Sequence, residues 1–362
     1  MTRAMTSKSH LPAQEGGLAG AYVPIAEERA SCLLQENYGI SGELQRFETE
    51  KDDTFRVTTG IGQKFVLKVA NPDETLEEID FQHGILRYIQ TREPKLPIPR
   101  VINSVAGSDI FQITDVDGSL RYVRMLSYLH GVPLDKTQSN PRERVQIGKM
   151  LARLRYGTEG FSHVAEDRYY AWDVQHLLTL EHLMDEVNDR TQYNALSRGL
   201  ERFHQVKDKL NNCRKQVLHN DFSKSNIVVD HNSTDFVTGI IDFGDSVKTA
   251  IAVDVATALL NQLPETPKED LFYRARDIME GYLSIAELTD EELALIPHLV
   301  MGRIITRALL TLWRVKLFPE NERYIMRNTE QGWHQLDWFL ARSSEQVSDI
   351  LKPYSKLKGS FK

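Results

Sequence analysis

Three polar residues in the second half of the chain have the types and spacing that phosphoryl transfer needs. Asp221 and Asn226 lie in the polar loop of VLHNDFSKSNIVVD, between two short apolar runs, and Asp242 follows the apolar run 239–241. A loop carboxylate can accept a proton from an attacking hydroxyl, and amide and carboxylate oxygens suit a hard cation such as Mg²⁺. The set predicts Asp221 as the catalytic base and Asn226 and Asp242 as the metal ligands of a phosphoryl-transfer site.

The elements that must position these residues change in type along the chain. Alternating apolar residues predict short strands in the first third, with Gly60-Ile61-Gly62 as a hairpin turn. Helical periodicity predicts helices over 25–38 and 74–90 there, and helices dominate beyond residue 140. The predicted strands are 43–47, 54–58, 64–70, 110–114, 121–126 and 238–242, and the first predicted C-terminal helices are 141–156, 171–188 and 193–212.

This order predicts an α+β fold with two lobes, a small antiparallel-sheet lobe over 25–130 and a larger helical lobe over 131–362. Residues 1–24 are rich in Ser, Gly, Ala and Thr and have no apolar core. We expect them to form a disordered leader and not a signal peptide.

Composition excludes several classes of protein. A net charge of −7 gives no basic surface for nucleic acid, and no apolar run reaches the ~18 residues of a membrane helix. Cys32 and Cys213 are too few and too far apart in sequence for a disulfide framework or a zinc site. We therefore expect a cytoplasmic protein, a monomer or a homodimer, that binds small molecules.

Longer stretches carry a family resemblance. HNDFSKSN and GIIDFGD resemble the catalytic and metal loops of the aminoglycoside phosphotransferase and choline kinase superfamily, which shares the protein-kinase fold. RYYAWDVQHLL (168–178), residues 239–259 and FPENERYIMRNTEQGWHQL (318–336) are similar to the hydroxylysine kinase branch. The resemblance covers roughly residues 25–345. It implies a small-molecule kinase, and no A-P-E segment of a protein kinase follows Asp242.

The resemblance also assigns the nucleotide site. It implies that Lys68 contacts the α and β phosphates and that an acid of helix 74–90, Asp80 or Glu77, pairs with this lysine. The loop 48–54, which ends at Thr54, would cover the phosphates. The backbone of the hinge from Ser127 to Leu129 would read the base. The implied cofactors are Mg²⁺ and ATP or GTP, and the hinge backbone does not separate the two nucleotides.

The sequence departs from the family pattern at three places. Asn220 follows His219, a structural histidine in the family, where glycine is usual. The acid expected to pair with Lys68 is usually Glu, so Asp80 is a shorter partner. The loop 48–54 contains no glycine.

The acceptor implied by the resemblance is 5-hydroxylysine, which carries amines and a carboxylate. Trp172 and Asp173 would bind an ammonium, and they could instead be a packed tryptophan and a helix-start acid. Arg303, one turn before Arg307, would bind the carboxylate, and both could instead form structural salt bridges. Asp245 completes the predicted acceptor site. The alternatives are an antibiotic kinase, a homoserine- or choline-type kinase, or a nucleotide-binding module without activity.

Overall fold

The structure, a computed structural model, describes residues 22–49, 52–319, 322–326 and 329–357. The leader predicted over residues 1–24 therefore falls almost entirely outside the described residues. Positions 50–51 of the predicted phosphate-covering loop also lie outside them, as do positions 320–321 and 327–328 of the stretch 318–336.

An antiparallel sheet forms the first half of the described chain. Its strands are β1 Gly42–Arg46, β2 Asp53–Thr59, β3 Lys64–Val69, β4 Val101–Ile102, β5 Ile110–Thr114 and β6 Leu120–Ser127. They lie in the order β1-β2-β3-β6-β4, and β5 also pairs with β6. Gly62 has a φ of 81°, which a glycine adopts without strain, and it closes the predicted hairpin turn between β2 and β3.

Two helices, α1 Glu27–Tyr38 and α2 Leu76–Arg92, accompany this sheet. Leu33 and Leu34 of α1 belong to one buried cluster with Phe55 and Leu67 of the sheet. Helix α2 starts at Thr75, whose side chain and that of Glu78 cap each other's backbone N–H groups. The apolar face of α2 instead joins the core of the C-terminal half, so this helix links the two halves.

The C-terminal half is helical, as the sequence predicts. Its α-helices are α3 Pro141–Thr158, α4 Arg190–His204, α5 Lys207–Asn211, α6 Ile251–Leu260, α7 Ala275–Leu283, α8 Asp290–Leu317, α9 Glu322–Ile325, α10 Thr329–Leu340 and α11 Ser344–Ser348. Its short strands are β7 Val132–Pro133, β8 Lys215–Leu218, β9 Ile227–Val229, β10 Val237–Ile240 and β11 Val247–Ala250. They form two small sheets, β10-β9-β7 and β11-β8.

Helix α8 is the centre of the helical half. By length and composition it could cross a membrane, but 89% of its most apolar window is buried inside the fold. It packs against α6, α4, α10 and α11. We therefore assign it as a core helix, which is hydrophobic all round because it is surrounded by protein.

Helices α3 and α7 approach closely through two glycines. A Cβ on Gly148 would lie 2.0 Å from the carbonyl oxygen of Ile278, and one on Gly281 would lie 1.9 Å from that of Val145. Backbone therefore meets backbone at this crossing, and no side chain fits there.

The described structure confirms the α+β fold with an antiparallel sheet first and helices second. Three local predictions differ. The predicted helix 171–188 is a run of 3₁₀ turns, Val174–Glu186. The predicted helix 193–212 divides into α4 and α5. Strand β11 lies where a return to helices is expected, because its residues pair with β8. The lobe boundary near residue 130 stays a prediction.

Candidate active site

A cleft of about 1090 Å³ lies between the sheet and the helical half. Ten of the residues that the sequence singles out line this cleft: Thr54, Lys68, Ser127, Leu129, Trp172, Asp221, Asn226, Asp242, Asp245 and Arg303. Three others do not belong to its lining, namely Glu77, Asp80 and Asp173.

The loop that carries Asp221 begins where β8 ends and runs to β9. His219 connects this loop to the strand before Asp242, because its Nε2 donates to the Ile241 carbonyl at 3.0 Å. Its Nδ1 accepts from the Asp221 N–H at 3.3 Å. Both ring nitrogens are thereby used in holding two loops together, which agrees with the structural role that the resemblance implies.

Asn220 occupies the position where the family usually has glycine, and the reason for glycine is visible in the backbone. Asn220 has a φ of 61°, in the left-handed region that Asn tolerates better than most residues. Its N–H donates to Asp254 Oδ1 at 2.8 Å. Asp254 is buried, and burial raises its pKa to about 6. The substitution of Asn for Gly therefore keeps the turn.

Asp221 and Asn226 contact each other directly. Asn226 Nδ2 donates to Asp221 Oδ2 at 2.7 Å and to the Asp221 carbonyl at 3.1 Å. Asn226 is the last residue of the short 3₁₀ turn that leads into β9, and its own carbonyl accepts from the Ile241 N–H at 2.9 Å. The carboxylate that is predicted to be the base is thus oriented by the residue that is predicted to bind metal.

The Asp221 carboxyl has a perturbed pKa. Burial, together with the negative charges of Asp245 and Asp242, raises the pKa to about 7, although Arg303 and Arg307 act in the opposite direction. A general base is most effective when its pKa is close to the working pH. The electrostatics therefore suit the proposed role.

Asp242 starts the second loop, with a φ of 62°. Its Oδ1 accepts from the Gly244 N–H at 3.3 Å, and half of its side chain is exposed to the cleft. Asn226 turns its amide nitrogen to Asp221, which leaves the amide oxygen as its ligand atom. Asn226 and Asp242 both line the cleft, and amide and carboxylate oxygens are ligands that suit a magnesium ion.

Lys68 of β3 lies between two carboxylates. Its Nζ is 3.1 Å from Asp52 Oδ2 and 3.9 Å from Asp242 Oδ1. Burial lowers the pKa of the ammonium, but Asp52 and Asp242 outweigh burial, so the net pKa is raised. Lys68 therefore stays charged beside the predicted metal site.

The expected pairing of Lys68 with an acid of α2 is wrong. Asp80 Oδ2 lies 3.1 Å from His163 Nε2, and Glu77 is exposed on the outside of the helix. Asp80 therefore faces the helical half, and Glu77 faces the solvent. The acid that pairs with Lys68 is instead Asp52, which lies immediately before β2.

The sheet side and the hinge contribute the remaining lining residues. Thr54 pairs with Lys68 across β2 and β3, and its hydroxyl is buried with no hydrogen-bond partner in the described structure. Ser127 is fixed at the end of β6, because its hydroxyl accepts from the Arg100 N–H at 2.8 Å. Leu129 packs over Gly239, where a Cβ would meet it at 2.9 Å.

The part of the cleft that is predicted to bind the acceptor contains an arginine stacked on an aromatic ring. The guanidinium of Arg303 lies over Trp172, with 5.3 Å between its carbon and the ring centroid, and it donates to the Trp172 carbonyl. Arg307 lines the same wall. Only 8% of Arg303 is exposed, so it is not a surface salt-bridge residue.

The structure corrects the predicted role of Asp173 in binding the acceptor ammonium. It is fully buried, accepts from the Gln175 N–H at 2.9 Å and from the Thr249 hydroxyl at 3.2 Å, and starts the 3₁₀ run. Burial raises its pKa. Asp173 is therefore a cap, which was the alternative interpretation of the Trp172-Asp173 pair.

Sequence reasoning missed Tyr170 and Arg168. Tyr170 is buried in the cleft wall and hydrogen-bonds Asp245, and burial and this neighbour raise the pKa of its phenol well above the ordinary value. Arg168 Nη2 donates to the carbonyls of Gly244 and Ser246, and its Nη1 contacts Glu78 of α2 at 3.4 Å. Both residues lie in the stretch 168–178 that carries the resemblance, which was the available signal.

The chain is similar to known kinases in sequence and in fold. Residues 43–288 match the family described as the phosphotransferase enzyme family. The chain is 25% identical over 356 residues to the hydroxylysine kinase of Mus musculus, and the aligned region covers 92% of this chain and 94% of that protein. It is 26% identical over 306 residues to the homoserine kinase of Gluconobacter oxydans (strain 621H), over 80% of this chain and 88% of that protein. The solved structure of a microcompartment-associated aminopropanol kinase superposes with a TM-score of 0.72 at 19% identity, over 88% of this chain and 99% of that one.

Proposed function

Because this chain belongs to the phosphotransferase enzyme family, we propose that it transfers the γ-phosphoryl group of a nucleoside triphosphate to the hydroxyl of a free hydroxy-amino acid. The favoured acceptor is 5-hydroxylysine, and homoserine is a second member of the same chemical class. Both names belong to relatives of this chain, and the two molecules share a hydroxyl, an ammonium and a carboxylate.

One observation supports this acceptor class above others. Beside Asp221, the cleft presents a carboxylate, Asp245, and a buried guanidinium, Arg303, that both act on the pKa of Asp221. A carboxylate that leaves water needs a fixed cation, since its desolvation is otherwise unfavourable, and a guanidinium can bind both of its oxygens. An ammonium needs the opposite charge, which Asp245 supplies.

The mechanism assigns a separate task to each residue. The Asp221 carboxylate, oriented by Asn226, accepts the proton of the acceptor hydroxyl while the hydroxyl oxygen attacks the γ-phosphorus. The bond from the γ-phosphorus to the bridging oxygen breaks at the same time, and the nucleoside diphosphate leaves. The elevated pKa makes Asp221 a stronger base than an exposed aspartate. Trp172 and Arg303 hold the far end of the acceptor, so that the hydroxyl is presented to Asp221 and not to bulk water.

The donor would occupy the sheet side of the cleft. Lys68 would offer a compact positive charge to the phosphates, and the backbone between Ser127 and Leu129 would contact the base. Asn226 and Asp242 would hold magnesium, which neutralises the charge of the transferring group when it is bound. The donor is ATP or GTP.

A coupled kinase assay tests the proposal. Hydroxylysine, homoserine, choline, aminopropanol and an aminoglycoside would each be titrated with ATP and with GTP. We expect kcat/KM at least about tenfold higher for a hydroxy-amino acid than for any acceptor without a carboxylate. A preference for a carboxylate-free alcohol would overturn the acceptor class. Absence of nucleotide binding, measured by thermal shift with Mg²⁺, would overturn the kinase assignment itself.

A further inference from the structure

We propose that Asp52, held by Arg124, is the residue that positions Lys68 for the donor phosphates. This inference rests on the proposed function, because it concerns the nucleotide that the cleft would bind. The family resemblance implies an acid of α2 as the partner of Lys68. We assign this role instead to Asp52, which lies immediately before β2.

One carboxylate oxygen of Asp52 bridges two cations. Asp52 Oδ2 is 3.1 Å from Lys68 Nζ and 3.3 Å from Arg124 Nη2. Lys68 and Arg124 are directly opposite each other in β3 and β6, and like charges in that arrangement repel. The Asp52 carboxylate removes this repulsion and fixes the lysine at the same time.

Arg124 is itself held from the other side. Its Nη2 donates to Gln82 Oε1 at 2.9 Å, and Gln82 Nε2 donates to Glu74 Oε1 at 2.7 Å. Glu74 Oε2 lies 4.0 Å from Arg124 Nη1. Two acids thus balance two buried cations. Loss of one partner from such a group is unfavourable because it leaves an uncompensated buried charge.

The electrostatics agree with this geometry. Burial alone would raise the pKa of Asp52, but Lys68 and Arg124 reverse the shift and lower the pKa to about 2. Asp52 is therefore ionised throughout the range in which a kinase works. Arg124, Asp52 and Lys68 all line the cleft, so the group acts at the donor site and not in a remote core.

The position of Asp52 has a mechanistic consequence. Thr54, two residues after Asp52, pairs with Lys68 in the β2–β3 register. The lysine is therefore positioned by its own hairpin, whereas an acid on α2 would make lysine placement depend on where the helix lies. In this chain, α2 is connected to Lys68 indirectly, through Gln82, Arg124 and Asp52.

The test compares Asp52→Asn with Glu77→Gln and Asp80→Asn, the variants that the family pattern would implicate. We expect Asp52→Asn to raise the donor KM about tenfold or more and to leave the acceptor KM unchanged. Both helix variants should stay within about twofold of wild type for each substrate. A normal donor KM in folded Asp52→Asn, or a larger effect at Asp80 or Glu77, would overturn the proposal.

A double-mutant cycle separates positioning from general structure. If Asp52 acts through the lysine, Asp52→Asn should have no further effect on the donor KM in a Lys68→Met background, whereas additive effects would contradict the proposal. Asp52→Glu keeps the charge but displaces it by one methylene. It gives a second test if Asp52→Asn does not fold, because a donor KM equal to that of wild type would again overturn the proposal. Wild-type protein that binds no nucleotide would instead refute the proposed function.

Discussion

Asn226 Nδ2 lies 2.7 Å from Asp221 Oδ2, so the predicted base and the predicted metal ligand share a hydrogen bond. Binding of a cation to the Asn226 amide oxygen would polarise the amide and strengthen its donation to Asp221. Orientation of the base and occupancy of the metal site are thereby connected through one side chain.

The first prediction concerns the base. Asp221→Asn keeps the size of the side chain but removes the proton acceptor, so kcat should fall on the order of 10²–10⁴-fold while nucleotide binding is retained. Steady-state kinetics and a nucleotide thermal shift measure the two quantities. Asp235→Asn, an exposed residue after the same loop, is the control and should be unaffected. Near-normal turnover in the Asp221 variant would remove the assignment.

A second prediction concerns the stability of the same variant, Asp221→Asn. The pKa of Asp221 is raised in the folded state to about 7, against about 4 in an unfolded chain. The folded state therefore binds the proton more tightly, and this stabilisation is lost as the pH rises from about 4 to about 7. Asp221→Asn should melt higher than wild type at pH 8, by on the order of 5 °C, and the difference should vanish near pH 4. A difference independent of pH would contradict the raised pKa.

Variants of Asp242 and Asp245 should distinguish metal binding from acceptor binding. Asp242→Ala should abolish the Mg²⁺-dependent part of the nucleotide thermal shift, because it removes a ligand oxygen. Asp245→Asn should keep that shift and raise the acceptor KM about tenfold or more. Asp173→Asn is the matched control, since Asp173 is a buried cap, and its acceptor KM should not change. Loss of the metal effect in Asp245→Asn would mean that the two roles are not separate.

Arg303 should discriminate between acceptors. Arg303→Lys keeps the charge but loses the planar fork that binds both carboxylate oxygens, so the KM for a hydroxy-amino acid should rise roughly tenfold or more, about 1.4 kcal/mol. The KM for aminopropanol, which has no carboxylate, should hardly change, and neither should the donor KM. Equal effects on both acceptors would show that Arg303 supports the wall of the cleft through Trp172 and does not bind the carboxylate.

The contacts of Arg168 with the loop after Asp242 should matter more for the metal requirement than its contact with α2. It donates to the carbonyls of Gly244 and Ser246, within four residues of Asp242. Arg168→Met should therefore raise the Mg²⁺ concentration needed for half-maximal activity, by several-fold. Glu78→Gln removes the ion pair between Arg168 and α2 but can keep the capping hydrogen bond to Thr75, so it should have a smaller effect. The same metal requirement in wild type and Arg168→Met would exclude this role.

The local parts of the site are the parts that the sequence predicts well. Asp221, Asn226 and His219 belong to one loop between two short strands, so their spacing alone brings them together. The partner of Lys68 could not be predicted in this way, because it depends on which side chain reaches across the sheet. Asp52 stands in the polar run EKDD, which has no pattern that separates it from an ordinary loop.

Asp173 shows a second limit. Its neighbour Trp172 lines the cleft, and adjacency in sequence predicts a shared wall. At the start of a helical run, however, consecutive side chains point in different directions, and Asp173 turns inward to cap the backbone. The sequence also did not predict strand β11, because its conformation depends on pairing with β8, which is distant in sequence.

The apolar character of helix α8 has a consequence for the synthesis of this protein. The helix ends at Leu317, and two of its packing partners, α10 and α11, follow it in the chain. While the chain is being made, α8 emerges from the ribosome before these partners do, so part of its apolar surface is temporarily exposed. Exposed surface of this kind promotes aggregation and the binding of chaperones. Newly made chains that stop short of residue 329 should consequently accumulate in the insoluble fraction, even though the loops that carry Asp221 and Asp242 have already been made.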